Sequence, residues 1–137
     1  MLQLLINKYT VEGRAQIHTN LAINTAAMLW LMKNPVRGRS IEYADNRISL
    51  YAAQYGRCAV TGQLMAPHDI HCHHKLPVSK GGTDEYANLV LVTKNVHTLI
   101  HATAETTMKK LLDELNLDKS QLAKLNKLRE KAANPVI

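Results

Sequence analysis

Histidine is the residue type in this sequence whose number and spacing point to chemistry. The chain has 137 residues and seven histidines. Six of them lie in one stretch: His68, His71, His73, His74, His97 and His101. Neutral imidazole is a common metal ligand, and an imidazole that binds no metal can take a proton from water near neutral pH. This stretch could therefore supply both the ligands and the base of a metal-dependent hydrolase.

Two histidine pairs have spacings that suit different parts of such a site. His97 and His101 are four residues apart in a predicted helix, so their side chains lie one turn apart on one face. His73 and His74 are adjacent, and neighbours in a regular strand point to opposite faces. Where a strand ends, one of them can bind the metal while the other reaches a nearby water molecule. A histidine-rich surface loop with incidental metal affinity would contain the same residues.

The elements that would position these histidines follow the order strand, loop, strand, helix. Residues 69–74 can form a strand, and residues 77–85 must form a loop because they contain two adjacent glycines. The apolar run over residues 88–92 predicts a second strand. Thr93 suits the N-cap of a helix over residues 94–102.

Helices are predicted on both sides of this ββα unit. Apolar spacing predicts one helix over residues 14–33 and another from about residue 41 or 45 to residue 55. After the unit, residues 108–115 carry an apolar stripe at helical spacing, and Asp118 with Gln121 resembles a capping box. The predicted fold class is α+β and mostly helical, with a C-terminal helical pair.

Composition and charge exclude several classes of protein. Hydrophobic residues make up 46% of the chain and charged residues 20%, which is typical of a globular domain. No transmembrane run and no secretory signal is recognisable, so we expect a cytoplasmic protein without membrane contact. Two cysteines, Cys58 and Cys72, are too few for a disulfide scaffold or a four-cysteine zinc site. The net charge of +6 favours an anionic partner such as nucleic acid, although a basic protein without such a partner has the same charge.

The ordered motifs of the middle segment resemble those of the HNH endonuclease family. The resemblance covers about residues 57–102. It is carried by the His73-His74 pair, Pro77, the Gly81-Gly82 loop, Asn88 and the His97-x-x-x-His101 helix. It implies the ββα-metal fold and the hydrolysis of DNA phosphodiester bonds with one divalent metal ion.

The resemblance also implies a role for each matching residue. His73 and His97 match metal ligands, and His101 matches a further ligand of the nuclease-toxin branch. His74 matches the general base that activates water, and Asn88 matches the asparagine that holds this base in orientation. Magnesium is the expected ion in use, although a histidine set also suits Mn, Ni or Zn.

The sequence departs from the family at a second metal site. Many members bind structural zinc with two Cys-x-x-Cys pairs, whose matching positions here are Cys58, Thr61, Thr93 and Val96. Because three of the four are not cysteine, no structural zinc is expected. Apolar packing, helped by the leucine-rich tail, must stabilise the unit instead.

A narrower resemblance covers most of the chain. Residues 39–43, 45–51, 56–62 and 96–103 are similar to the C-terminal part of group II intron-encoded reverse transcriptase–maturases. In those proteins a DNA-binding region precedes an HNH domain that cuts the second strand of the target DNA. The resemblance implies double-stranded DNA as a partner and a ribonucleoprotein of intron RNA and reverse transcriptase as a second one.

Three regions follow from these resemblances. Residues 1–56 would form a helical, basic DNA-binding region, residues 57–103 the HNH core and residues 104–137 a helical extension. The expected DNA contacts are basic residues around the centre: Lys33, Arg37, Arg39, Arg47, Arg57, Lys75 and Lys80. The alternative is a non-catalytic nucleic-acid-binding module that assists a separate maturase. A nuclease toxin is a third interpretation, which predicts an immunity protein and usually an export signal or a fused delivery domain. A passive metal-binding protein is a fourth, which leaves the proline, Gly-Gly and asparagine positions unexplained.

Overall fold

The structure is a computed structural model that describes residues 25–137, where five helices surround a two-stranded antiparallel sheet. The elements are α1 (described over 25–33), α2 (Ile41–Ala53), β1 (His71–His74), β2 (Leu89–Val92), α3 (Lys94–His101), α4 (Glu105–Leu115) and α5 (Lys119–Lys131). The order β1, β2, α3 confirms the predicted ββα unit and the mostly helical α+β class. The first part of the helix predicted over residues 14–33 lies outside the described residues.

The two strands are shorter than predicted and separate the histidines onto two faces. A single turn of 3₁₀ helix, Pro67–Asp69, precedes β1, so the strand begins at His71. His73 pairs with Val90 and His74 pairs with Leu89 across the sheet. Because paired residues share a face and neighbours alternate, His73 and His74 lie on opposite faces. On the His74 side, Gln54 at the end of α2 hydrogen-bonds both backbone groups of Leu91.

Helix α3 is fixed to the sheet by apolar packing and to α5 by a buried arginine. Val96, Leu99 and Ile100 are fully buried. Arg129 of α5 is 1% exposed, and its Nη1 donates to the carbonyl oxygens of Leu99 at 2.6 Å and Ala102 at 2.9 Å. A cation at the C-terminus of a helix is also favoured by the helix dipole. Arg129 therefore positions the end of the helix that carries the second histidine pair.

The C-terminal helices complete the core, as the leucine pattern predicts. Leu111, Leu125 and Leu128 are buried, and the capping box of Asp118 and Gln121 begins α5. Gln121 Nε2 also donates to the carbonyl oxygen of Thr61, which links α5 to the segment before β1.

The four positions that match zinc-binding cysteines in relatives contribute other interactions here. Cys58 and Val96 are buried in the core, and Thr93 caps α3 by accepting a hydrogen bond from the Val96 amide. The Thr61 carbonyl accepts the bond from Gln121 described above. Apolar packing and these hydrogen bonds hold this region together. Each helix within residues 25–137 is too short or too polar to cross a membrane.

We expect Arg129→Met to lower the free energy of unfolding by about 3 kcal/mol, because it leaves buried carbonyls at the end of α3 without donors. Urea unfolding followed by circular dichroism measures the change. Lys124→Met, at an exposed position of the same helix, should change it by less than about 0.5 kcal/mol. Equal effects of the two substitutions would contradict this role for Arg129.

Candidate metal centre

Three imidazoles from two elements converge on one point. Ring nitrogens of His73, His97 and His101 all lie within 4.8 Å of one another. His73 comes from β1, whereas His97 and His101 lie one turn apart on α3. The ring centroids are 5.3 Å apart for His73 and His97, and 4.9 Å apart for His97 and His101. Within residues 25–137 this is the one group of at least three potential ligand side chains with metal-site spacing.

The state of these histidines suits a metal ion. His73 Nε2 is buried and has no hydrogen-bond partner, which is unusual because buried polar atoms are nearly always paired. A metal ion would satisfy this nitrogen. Burial, together with the neighbouring imidazoles, lowers the pKa of His73 to about 3 and that of His97 to about 4. Both rings are therefore neutral near pH 7, as metal ligation requires.

His74, on the opposite face of β1, belongs to a separate hydrogen-bonded group. Its Nε2 lies 2.7 Å from Oδ1 of Asp84, and its ring stacks on Tyr43 with 5.4 Å between centroids. Ser40 Oγ donates to the other carboxylate oxygen of Asp84 at 2.6 Å. Hydrogen bonds from Ser40, then from His74, lower the pKa of Asp84. An ionised Asp84 can only accept hydrogen bonds, so the Nε2 atom of His74 must carry a proton. The Nδ1 atom of the neutral ring is then the nitrogen that can accept a proton.

Asp84 is a site residue that the sequence motifs did not single out. It follows the Gly-Gly-Thr turn, ten residues after His74. This short separation between a carboxylate and the candidate base His74 was the sequence signal that could have identified Asp84. Its backbone is held as well, since Asn46 Nδ2 of α2 donates to the Asp84 carbonyl oxygen at 2.8 Å.

Asn88 closes the loop between the strands. Its Nδ2 donates to the carbonyl oxygens of Thr83 and Leu76, and its Oδ1 accepts from the Leu76 amide. Within the described structure no hydrogen bond joins Asn88 to His74. Asn88 instead bonds the chain neighbours of Asp84 and His74, since Thr83 precedes Asp84 and the amide of Lys75, next to His74, donates to the Asn88 carbonyl oxygen at 2.7 Å. The second glycine of the loop is required by space, because a Cβ on Gly82 would lie 1.8 Å from the Leu76 carbonyl oxygen.

Residues 56–103 match the family model described as HNH endonuclease. This segment is an HNH endonuclease domain. No curated protein and no solved structure matches the chain. The domain supports metal-dependent nuclease activity, and the histidine cluster of the preceding paragraphs fits its metal site. The match says nothing about intron-encoded reverse transcriptases.

An open cleft of about 550 Å³ lies between the HNH segment and the region of α1 and α2, and both histidine groups line it. Its walls include His73, His74, His97 and His101. His71 also lines it and stacks on His97, with 5.5 Å between their centroids. A substrate in this cleft would reach the candidate ligands and the candidate base at the same time.

The basic residues predicted to contact DNA do not all lie at this cleft. Arg39 and Arg47 line it, whereas Lys33, Arg37 and Lys80 are exposed elsewhere. Arg47 is 4% exposed and donates to the Asn34 carbonyl oxygen. Arg57 likewise donates to the Gly62 carbonyl oxygen. Arg47 and Arg57 thus make hydrogen bonds within the protein, and their contact with DNA stays a prediction.

We expect His97→Ala to weaken binding of Ni²⁺ or Zn²⁺ at least about 100-fold, because it removes a direct ligand. Isothermal titration calorimetry measures the affinity. His68→Ala is the matched control, since His68 lines the same cleft outside the cluster of three. Equal affinity of the two variants would show that the metal binds elsewhere.

The metal-free protein should lose stability as the pH falls from about 6.5 toward 3. His73 titrates near 6.5 in an unfolded chain and near 3 when folded, so the unfolded chain binds more protons between these values. Urea unfolding in chelator at several pH values tests this. His73→Leu should give a flatter dependence on pH, and identical slopes for the two proteins would contradict the burial of a neutral His73.

Proposed function

We propose that the protein is a metal-dependent DNA endonuclease that hydrolyses phosphodiester bonds. The observation that carries the proposal is that one cleft at an HNH domain is lined both by three converging imidazoles and by His74, which is bonded to Asp84. A passive metal-binding protein would need the first group and not the second. The net charge of +6 also suits a polyanionic substrate.

His73, His97 and His101 would hold one divalent cation. When bound, the cation supplies positive charge to the phosphate and to the leaving 3′ oxygen. Three imidazoles are typical of a site for Zn, Ni or Mn. Magnesium is the ion that we propose the enzyme uses, and it would take oxygen ligands from the DNA phosphate and from water.

His74 would act as the general base. With its Nε2 proton bonded to Asp84, Nδ1 can accept a proton from the water that attacks the phosphorus atom. The Asp84 carboxylate keeps the ring in this tautomer and stabilises the imidazolium that forms. Tyr43, which stacks on the ring, fixes its plane. The resulting cut leaves a 5′-phosphate and a 3′-hydroxyl.

We expect purified protein to convert supercoiled plasmid to open-circular or linear DNA when metal-stripped protein receives Mg²⁺, Mn²⁺, Ni²⁺ or Zn²⁺. His74→Ala should reduce the rate at least about 100-fold, because it removes the base and keeps the three ligands. His68→Ala should cut like the parent. Undiminished metal-dependent cutting by His74→Ala would defeat this assignment of the base. DNA binding without cutting by any metal would favour the non-catalytic module.

Asp84 would be a positioning residue for His74. Asp84→Asn should lower kcat about 10- to 100-fold, with KM and metal affinity close to those of the parent protein. Steady-state cleavage of a short duplex, together with calorimetry of metal binding, separates these quantities. Glu85→Gln, an exposed neighbour of equal charge, is the control. A loss in metal affinity that matches the loss in kcat would indicate a general disturbance of the site.

The biological setting we propose is second-strand cleavage for a group II intron-type mobile element in the cytoplasm. The motifs over residues 39–51 and 96–103 support it; the first precedes the candidate centre and the second contains two of its histidines, His97 and His101. In this setting residues 1–56 bind target DNA and residues 104–137 brace the nuclease core. Cutting should then be stimulated by a ribonucleoprotein of intron RNA and reverse transcriptase. Cutting that is indifferent to that particle would count against this setting.

A further inference from the structure

A second basic surface lies outside the metal centre and its cleft. It is a hollow of about 260 Å³, here called the lysine hollow. Its walls consist of four lysines and four apolar residues: Lys75, Lys124, Lys127, Lys131, Ala59, Val60, Val90 and Leu128. Three of these lysines belong to α5 and are not among the predicted DNA contacts.

The amphipathic pattern of α5 produces this surface. Lys124, Lys127 and Lys131 follow spacings of three and four residues, which places them on one side of the helix. All three are exposed, whereas Leu125 and Leu128 are buried in the core. The helix therefore presents one row of ammonium groups to solvent beside the apolar floor of the hollow.

These cations have no acidic partners in the part of the chain that the structure describes. No carboxylate lines the lysine hollow, and the ion pair recorded for residues 25–137 is that of His74 with Asp84. Like charges at helical spacing repel one another by a few tenths of a kcal/mol per pair. A cluster that carries this repulsion and no neutralising carboxylate is suited to an anionic ligand.

The position of the lysine hollow indicates which anion it would meet. Val90 in its floor is the cross-strand partner of His73, and Lys75 directly follows His74. The hollow thus adjoins both candidate groups of the metal centre. Lys124 to Lys131 spans about 10 Å along α5, which matches about three phosphates of one DNA strand at about 3.4 Å of axis each.

We propose that the lysine hollow binds the phosphodiester backbone of the DNA substrate beside the bond that is cut. This inference rests on the proposed endonuclease function and extends it to a surface supplied by the C-terminal helix. The ammonium groups would contact phosphates without reading bases, so the contact would be independent of sequence and sensitive to salt.

The test compares two triple variants that remove the same charge. The first variant removes the three lysine charges of α5 by Lys124→Gln, Lys127→Gln and Lys131→Gln. The control variant removes three exposed lysines elsewhere in the C-terminal region by Lys109→Gln, Lys110→Gln and Lys119→Gln. Binding to a labelled duplex is measured in chelator, so that nothing is cut, over a range of salt concentrations. The first variant should lower the slope of log affinity against log salt by about 2 to 3, and the control by less than 1.

The outcomes separate this inference from the nuclease proposal. Equal slopes for the two variants, with cutting by the parent protein, would overturn the lysine hollow as a DNA surface and leave the nuclease standing. A reduced slope for the first variant supports the hollow even where no metal gives cutting, which would overturn the nuclease alone. If the first variant lowers the salt slope of binding to duplex RNA but not that of binding to duplex DNA, the hollow is an RNA surface and the inference is overturned.

Discussion

The structure depends on holding three imidazoles together between β1 and α3, where His73 is buried, His97 half-buried and His101 exposed. Desolvation, and then the neighbouring imidazoles, lower the pKa of His73 and of His97. These two rings therefore stay unprotonated at a pH where free histidines are partly charged. The arrangement leaves His73 Nε2 without a partner, a cost that the remaining fold must offset and that a bound cation would remove.

Most of the fold serves to keep α3 where this cluster of imidazoles requires it. The helix has eight residues, too few to be stable alone. Its N-terminus is capped by Thr93 and its inner face packs against β1, while Arg129 of α5 binds the carbonyls at its C-terminus. The C-terminal helices, with their leucines and one buried arginine, hold α3 in place.

The candidate metal ligand and the candidate base of β1 lie on opposite faces of the strand. His73 points toward α3 and joins the ligand cluster, whereas His74 points toward α2 and is bonded to Asp84. Asp84 is itself held by Ser40 and Asn46, so α2 determines the orientation of the candidate base. The helix before the HNH core is in this sense part of the candidate active site, through side chains that do not belong to the family motif.

The sequence predicted the parts of the site that depend on periodicity and on family motifs. The i, i+4 spacing of His97 and His101 and the alternation of His73 and His74 describe their arrangement well. The sequence could not predict the bond from Arg129 to Leu99 or that from Ser40 to Asp84. These contacts join residues 30 and 44 positions apart and depend on tertiary packing. The hydrogen bonds of Arg47 to Asn34 and of Arg57 to Gly62 could not be predicted either, because the sequence does not show which backbone carbonyl an arginine meets.

The central claim is that His73, His97 and His101 bind one metal ion together. X-ray absorption spectroscopy of protein loaded with one equivalent of Zn²⁺ or Ni²⁺ tests it most directly, because multiple scattering counts imidazole ligands. The account predicts three imidazole nitrogens at about 2 Å, completed by oxygen, and one fewer in His101→Ala. A spectrum with oxygen ligands and at most one imidazole, unchanged in His101→Ala, would contradict it.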